Sequence, residues 1–180
     1  MPEIAGWDTF YVIIGSSAAA LTGLMFVVIA LTGEATSSPG MIGTIRAFST
    51  PTVVHFGAVL LLAALLTTPG HTVLTLSGSI GICGIAGLRF TRWVVVQMRR
   101  QTAYTPIAED WMWHVRMPAV AYFGLLAGSG ALWWRPAPGL VLVAAAALFL
   151  LYIGIRNSWD AAIYVSVARR ARRDRGTPPE

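Results

Sequence analysis

The sequence predicts an all-α fold, a polytopic helical membrane bundle with five transmembrane helices. Hydrophobic residues make up 56% of the 180 residues, charged residues only 12%, and the mean hydropathy is +0.65. Soluble domains contain about 25% charged residues, so this chain has too few charges to cover a soluble surface. Its apolar residues fall into five runs, each close to the ~20 residues that cross a bilayer.

The first two runs predict helices over residues 10–31 and 51–68. The first run is uncharged throughout. The second starts at Pro51, a residue that suits the first turn of a helix, and it ends at a Thr-Thr-Pro-Gly turn. We expect residues 41–50 to form an interfacial lead-in, with the proline at a kink or at the true start of the helix.

The remaining runs predict helices over residues 72–95, 117–134 and 139–157. The uncharged part of the third run is slightly short for a span and ends at Arg89. An arginine side chain can snorkel to the headgroups, so the helix can continue beyond it. Together the five helices define a transmembrane domain over residues 1–165, and the last helix is expected to continue into the tail.

Arginine placement predicts the orientation of the bundle. All 13 basic residues are arginines. If the N-terminus lies outside, Arg135 alone is at an outer end and the other arginines lie at or beyond cytoplasmic ends. Because cytoplasmic segments carry the excess of positive charge, we expect an N-out, C-in topology.

A basic cytoplasmic tail is predicted over residues 166–180. Its five arginines lie between residues 169 and 175. Beside a helix end, such a cluster attracts anionic headgroups by roughly 1 kcal/mol per residue. Nucleic acid is the other common partner of a basic run. We expect none here, because the tail is short and has no interleaved aromatic residues.

Small residues at helical spacing mark candidate packing positions. Lipid gives helices no hydrophobic reason to associate, so they meet where small side chains allow close backbone approach. Such positions are compatible with packing within the chain or with a homo-oligomer interface. The four glycines spaced three apart in the third helix, from Gly78 to Gly87, spiral by about 60° per step and are not expected to face one partner together. The candidate positions are Gly15, Ala19, Gly23, Gly81, Gly84, Gly124 and Gly128.

A polar layer is predicted at the cytoplasmic ends of the helices. His55 is the one histidine inside a span, and ionisable groups at such depth suggest function; the alternative is a neutral imidazole bonded to a neighbouring helix. Asp160 has the spacing to pair with Arg156, or it neutralises Arg89 on the third helix. The candidate layer contains His55, Arg89, Arg92, Arg156, Asn157 and Asp160.

The sequence carries no catalytic signature. It lacks a Gly-x-Ser-x-Gly motif, a His-Glu-x-x-His motif and a phosphate-binding loop. The single cysteine, Cys83, excludes an internal disulfide and a cysteine-based metal site. Two histidines suffice to bind haem, but nothing in their spacing requires it. We therefore expect no enzyme activity, no metal and no cofactor.

Three segments carry a resemblance to known proteins. They are residues 47–56 (AFSTPTVVHF), 109–114 (EDWMWH) and 156–160 (RNSWD). In these segments the chain resembles a set of small bacterial multipass membrane proteins of uncharacterised function. The resemblance implies a multipass protein of the bacterial inner membrane and supplies no activity, substrate or site.

The sequence thus favours a non-catalytic role in the membrane. We expect a packing, assembly or helper protein whose partner is a second copy or another membrane subunit. The alternative is an oligomeric channel or carrier for a small solute or ion, which would use the polar layer.

Topology gives the first testable prediction. A reporter that is active only outside the cytoplasmic membrane should be silent when it is fused after Glu180, because the tail is expected inside. The same reporter inserted at His71 should be active. Reporter activity at the C-terminus would overturn the orientation.

Overall fold

The computed structural model describes the backbone of residues 6–33, 39–100 and 107–176, and the side chains of residues 6–30, 50–100 and 107–163. All regular structure in these ranges is helical, which confirms the predicted all-α class. The elements, in chain order, are α1 (Asp8–Gly33), α2 (Pro39–Thr67), α3 (Val73–Arg100), α4 (Ala108–Trp111), a π-helical turn (Met112–Arg116), α5 (Met117–Ala131) and α6 (Pro136–Gly176).

Four helices extend beyond the predicted bounds, α1 by two residues at each end and three others by more. α2 already begins at Pro39 and continues through Pro51, so the proline neither starts nor ends it. Proline removes one backbone hydrogen bond but has a φ angle compatible with a helix. α3 reaches Arg100 and α6 reaches Gly176. The helical backbone therefore enters the basic tail, whose arginine side chains lie outside the described part of the chain.

Within the described residues, four helices are long and apolar enough to cross a membrane. Their candidate spans are Asp8–Ala30, Thr50–Thr67, Val73–Arg100 and Pro136–Ile163. α5 has only 15 residues, or ~22 Å at 1.5 Å per residue, whereas the hydrocarbon core is about 30 Å thick. Between α4 and α5 lies the π-helical turn, in which the Met117 amide donates a hydrogen bond to the Met112 carbonyl.

Four helices form a ring around the core, and α1 packs on its outside. α2 contacts α6, α6 contacts α5, and α5 contacts α3, while α2 and α3 close the ring with the least extensive of the four contacts. α1 packs mainly against α2. Large side chains fill the centre; those with no more than 1% of their surface exposed include Phe56, Leu62, Leu76, Ile80, Tyr122, Leu125, Leu132, Leu140 and Leu150.

Glycines of α3 allow α5 to approach closely. A methyl group added at Gly84 would lie 2.8 Å from Leu126 Cγ and 3.1 Å from the Tyr122 carbonyl oxygen, and one added at Gly87 would overlap the Tyr122 ring. Gly81 faces Ser129, whose hydroxyl donates a 2.8 Å hydrogen bond to the Ser77 carbonyl. Three glycines of the spiral thus share one partner helix.

The geometry of the spiral explains where this contact ends. Two steps of 60° spread Gly81, Gly84 and Gly87 over about 120° of the helix surface, an arc that a crossing helix can cover. A third step places Gly78 opposite Gly87, and no atom of another residue lies within 4 Å of a Cβ built at Gly78.

The other candidate packing positions divide between the inside and the outside of the bundle. A methyl group added at Gly15 would lie 2.7 Å from Ala63 Cβ on α2, one at Gly128 the same distance from Val143 on α6, and one at Gly124 3.3 Å from Ala146. Ala19 and Gly23 are exposed on α1. The stripe of small residues on α1 therefore does not form one intrachain contact.

The two ends of the ring differ in polarity. At the end where α2 and α5 finish and α3 and α6 begin, the buried side chains are mainly aliphatic, including Leu66, Leu76, Leu132 and Leu140, although Ser77 and the hydroxyl of Tyr11 are buried there too. We call this the apolar end. Most of the buried polar side chains, among them His55 and Asn157, lie towards the opposite end, which we call the polar end.

The contact between α3 and α5 generates a prediction with a matched control. Gly87→Ala should lower the melting temperature in detergent by several degrees, because the added methyl group must displace the buried Tyr122 ring; overpacking of this kind costs about 1–3 kcal/mol. Gly78→Ala lies on the same helix and meets open space, so it should leave the melting temperature unchanged or raise it slightly. Circular dichroism melts measure both, and equal effects of the two changes would contradict the packing.

Candidate functional site

His55 lies inside the bundle, on the second turn of the candidate span of α2. Only 1% of its surface is exposed. Its Nδ1 atom is 2.9 Å from the hydroxyl oxygen of Tyr122 on α5, and its ring meets that of Phe90 edge-on at a centroid distance of 6.3 Å. Within the described residues, the buried Nε2 atom has no hydrogen-bond partner. His55 therefore bonds to another helix and keeps one nitrogen unused.

Tyr122 is a site residue that the sequence analysis did not identify. It is 1% exposed, and its ring occupies the space left by the missing side chain of Gly87. A tyrosine within an apolar run resembles any other large core residue. The feature of the sequence that could have identified Tyr122 is its hydroxyl group. A buried hydroxyl almost always needs a hydrogen-bond partner, and His55 is a polar side chain at similar depth.

Asn157 brings a second unpartnered polar group to the polar end. It lies on α6 with 2% of its surface exposed, and neither Oδ1 nor Nδ2 has a hydrogen-bond partner within the described residues. Gly154 of the same helix packs directly on the ring of Phe56, the neighbour of His55. Since α2 and α6 run antiparallel, this contact places Asn157 at a depth similar to that of His55, one turn from the contact.

Arg156 joins α6 to the short helix α4. Its guanidinium group pairs with Glu109 on α4 and with Asp160 one turn further along α6. The same group lies over the ring of Trp113, 5.0 Å from the centroid. Of the two pairings considered for Asp160, the structure therefore contains the one with Arg156.

Arg89 and Arg92 lie apart from the buried groups. The buried face of α3 carries Gly84, Gly87 and Thr91, whereas both arginines are exposed on other faces. Neither forms an ion pair within the described residues. Counting residues along the helix places Arg89 at the depth of the polar end, but the rotation of α3 about its axis turns the side chain outward, where it can snorkel.

His114 is buried on the π-helical turn. Its Nδ1 atom is 3.2 Å from the carbonyl oxygen of Asp110, and the residue lies within electrostatic range of His55.

We refer to His55, His114, Tyr122 and Asn157 as the polar cluster. The ion-paired Arg156 is the chain neighbour of Asn157 on α6 and lies at the same end of the bundle. Within the described part of the chain, no group of three or more His, Cys, Asp and Glu side chains is arranged to hold a metal ion. The cluster provides hydrogen-bond donors and acceptors in an apolar surrounding, which suits binding more than bond cleavage.

The unpartnered amide of Asn157 generates a prediction about stability. A buried polar group without a partner costs about 1–3 kcal/mol, whereas an apolar replacement of similar shape is neutral or stabilising. Asn157→Leu should therefore raise the melting temperature in detergent, by about 2–4 °C for each kcal/mol recovered. Ser129→Ala, which removes a hydroxyl that has a partner, should not raise it. A lower melting temperature for Asn157→Leu would show that the amide has a partner in the purified protein.

Known proteins offer no guide to the polar cluster. No family model matches this chain, and no curated protein and no solved structure matches it either. The functional interpretation therefore depends on the chemistry of the residues themselves.

Proposed function

We propose that this chain is a non-catalytic integral protein of the bacterial inner membrane, with a packing, assembly or helper role. The observation that carries the proposal is the division of the core into a polar and an apolar end. Leu66, Leu76, Leu132 and Leu140 fill the apolar end with at most 2% of their surfaces exposed. A solute that entered at the polar end of a single chain would meet this plug, so a path through one copy is disfavoured.

The proposal includes a fifth span formed by α5 with the turns that precede it. α5 is too short alone, but the helical segment already begins at Ala108 and is continuous through the π-helical turn. α5 also packs along both α3 and α6, two helices with candidate spans. Five spans place the termini on opposite sides, and the arginine distribution then favours the N-terminus outside and the C-terminus in the cytoplasm.

The lipid surface is the partner that the charges support best. Arg89 and Arg92 are exposed near the polar end, and the tail adds the further arginines at residues 169–175. In the proposed orientation all of these face the cytoplasmic leaflet, whose anionic headgroups attract them. Neither the charges nor the cluster favours nucleic acid as a partner.

An oligomeric channel or carrier is the second candidate. The observation that favours it is the exposed face of α1, where Ser16, Ala19, Ala20 and Gly23 are small and lie outside the intrachain contacts. Small residues at four-residue spacing allow another helix to approach closely. A polar path in such an assembly would run between copies, since the core of each copy is plugged.

The mass of the purified protein separates the two candidates. In mild detergent, the proposed helper should have a protein mass near the 19.3 kDa of one chain, alone or with a different membrane subunit. Ala19→Leu should leave this mass unchanged, because Ala19 is exposed on α1 and a larger side chain there is accommodated outside the bundle.

A channel built through α1 predicts a different result. The mass would then be a multiple of 19.3 kDa, and Ala19→Leu would reduce it to that of one chain. As a control for the substitution itself, Val12→Leu changes an exposed apolar residue of the same helix and should not alter the mass in either case. A homo-oligomer that Ala19→Leu dissociates would count against the helper role.

A further inference from the structure

The hydrogen bond between His55 and Tyr122 fixes which nitrogen of His55 carries the proton. Tyr122 has no other hydrogen-bond partner within the described residues, and its hydroxyl is buried. If the hydroxyl accepted the bond from Nδ1, its own hydrogen would remain without an acceptor, which is costly in a buried site. The hydroxyl therefore donates to Nδ1, and in the neutral imidazole the proton is on Nε2. The unused nitrogen of His55 is a donor.

His55 and Asn157 together offer more donors than acceptors. The unpartnered groups of the two side chains comprise three N–H groups, one on His55 Nε2 and two on the Asn157 amide, and one acceptor, the amide oxygen of Asn157. These groups suit a ligand with an oxygen acceptor. A carboxylate or phosphate is disfavoured, because Arg156, the cation next to Asn157 in the chain, is already paired with Glu109 and Asp160 and an uncompensated charge is expensive to bury. An uncharged carbonyl oxygen meets both requirements.

The ring of His55 has aromatic neighbours that extend towards the outer surface of α3. The rings of Phe90 and Tyr122 lie 6.3 and 5.7 Å from that of His55. Phe90 stacks on Trp93 at a centroid distance of 5.5 Å, and Trp93 is 44% exposed on the outer face of α3. Phe90 and Trp93 both belong to α3, whose contact with α2 is the least extensive of the four contacts in the ring. The α2–α3 contact is therefore the side of the ring through which access to His55 requires the least disruption of helix packing.

We propose that His55 and Asn157 form a binding site for a lipophilic carbonyl compound of the quinone type, which reaches the site from the hydrocarbon phase between α2 and α3. The carbonyl oxygen accepts hydrogen bonds from His55 Nε2 and Asn157 Nδ2, and the ring of the ligand packs among the neighbouring aromatic side chains. This inference goes beyond the proposed function and does not depend on the number of spans or on the oligomeric state.

Ligand-induced stabilisation tests the proposal on the full-length protein in detergent. A compound that binds only the folded state raises the melting temperature with its concentration. At saturation, 2-decyl-1,4-benzoquinone should raise the temperature of a circular dichroism melt by about 5 °C. Decylbenzene has the same chain and ring without the carbonyl groups, and it should give no rise.

Variants assign the effect to the two donors. His55→Phe and Asn157→Leu should each abolish the rise, while Ser129→Ala, at a bonded hydroxyl outside the polar cluster, should retain it. An equal rise with decylbenzene would overturn the proposal even if a variant failed to fold. A quinone-induced rise in melting temperature that is unchanged in Asn157→Leu would also overturn the proposal. A rise with acetamide and none with the quinone would overturn it as well, and would indicate a small water-soluble ligand.

Discussion

The close approach of α3 and α5 is the contact on which the rest of this bundle depends. In lipid, apolar helices gain nothing from leaving the solvent, so their association requires packing and hydrogen bonds between them. Gly84 and Gly87 supply the packing because they present no side chain to α5. The ring of Tyr122 then lies against α3, and its hydroxyl reaches His55 on a third helix. The close backbone contact between α3 and α5 thus determines the position of the hydrogen bond between Tyr122 and His55.

The division of the core explains how a small membrane protein retains costly groups. The apolar end is filled with fully buried aliphatic side chains, which gain dispersion contacts from dense packing. The polar end carries the unpartnered atoms of His55 and Asn157, while Tyr11 Oη and His71 Nε2, towards the apolar end, are also buried without a partner in the described residues; each such atom reduces stability. Proteins retain such local violations chiefly where function requires them. Because His55 and Asn157 both belong to the polar end, where most of the buried polar side chains lie, we regard that end as the functional part of the bundle and the apolar end as its support.

The sequence predicts well how deep a polar residue lies along its helix, and poorly which side of that helix faces the core. Run lengths and turns identify the helical segments, because a span needs a minimum apolar length. Counting along the helices also places His55, Arg89 and Asn157 at similar depth. The side of each helix that faces the core depends on its neighbours, however, and α3 turns Arg89 outward while α6 turns Asn157 inward. The π-helical turn that shortens α5 leaves no comparable pattern in the sequence.

The π-helical turn fixes the rotation of α4 relative to α5. A π turn contains one residue more than the α-helical turn it replaces. If the same residues formed an uninterrupted α-helix, with α5 and Tyr122 unchanged, everything before Met112 would be rotated by about 100°, carrying Glu109 away from Arg156. Deleting one residue within Met112–Arg116 together with the π turn would instead leave the two segments in nearly the same relative orientation. The π turn therefore sets the angle at which the α4 carboxylate meets the end of α6.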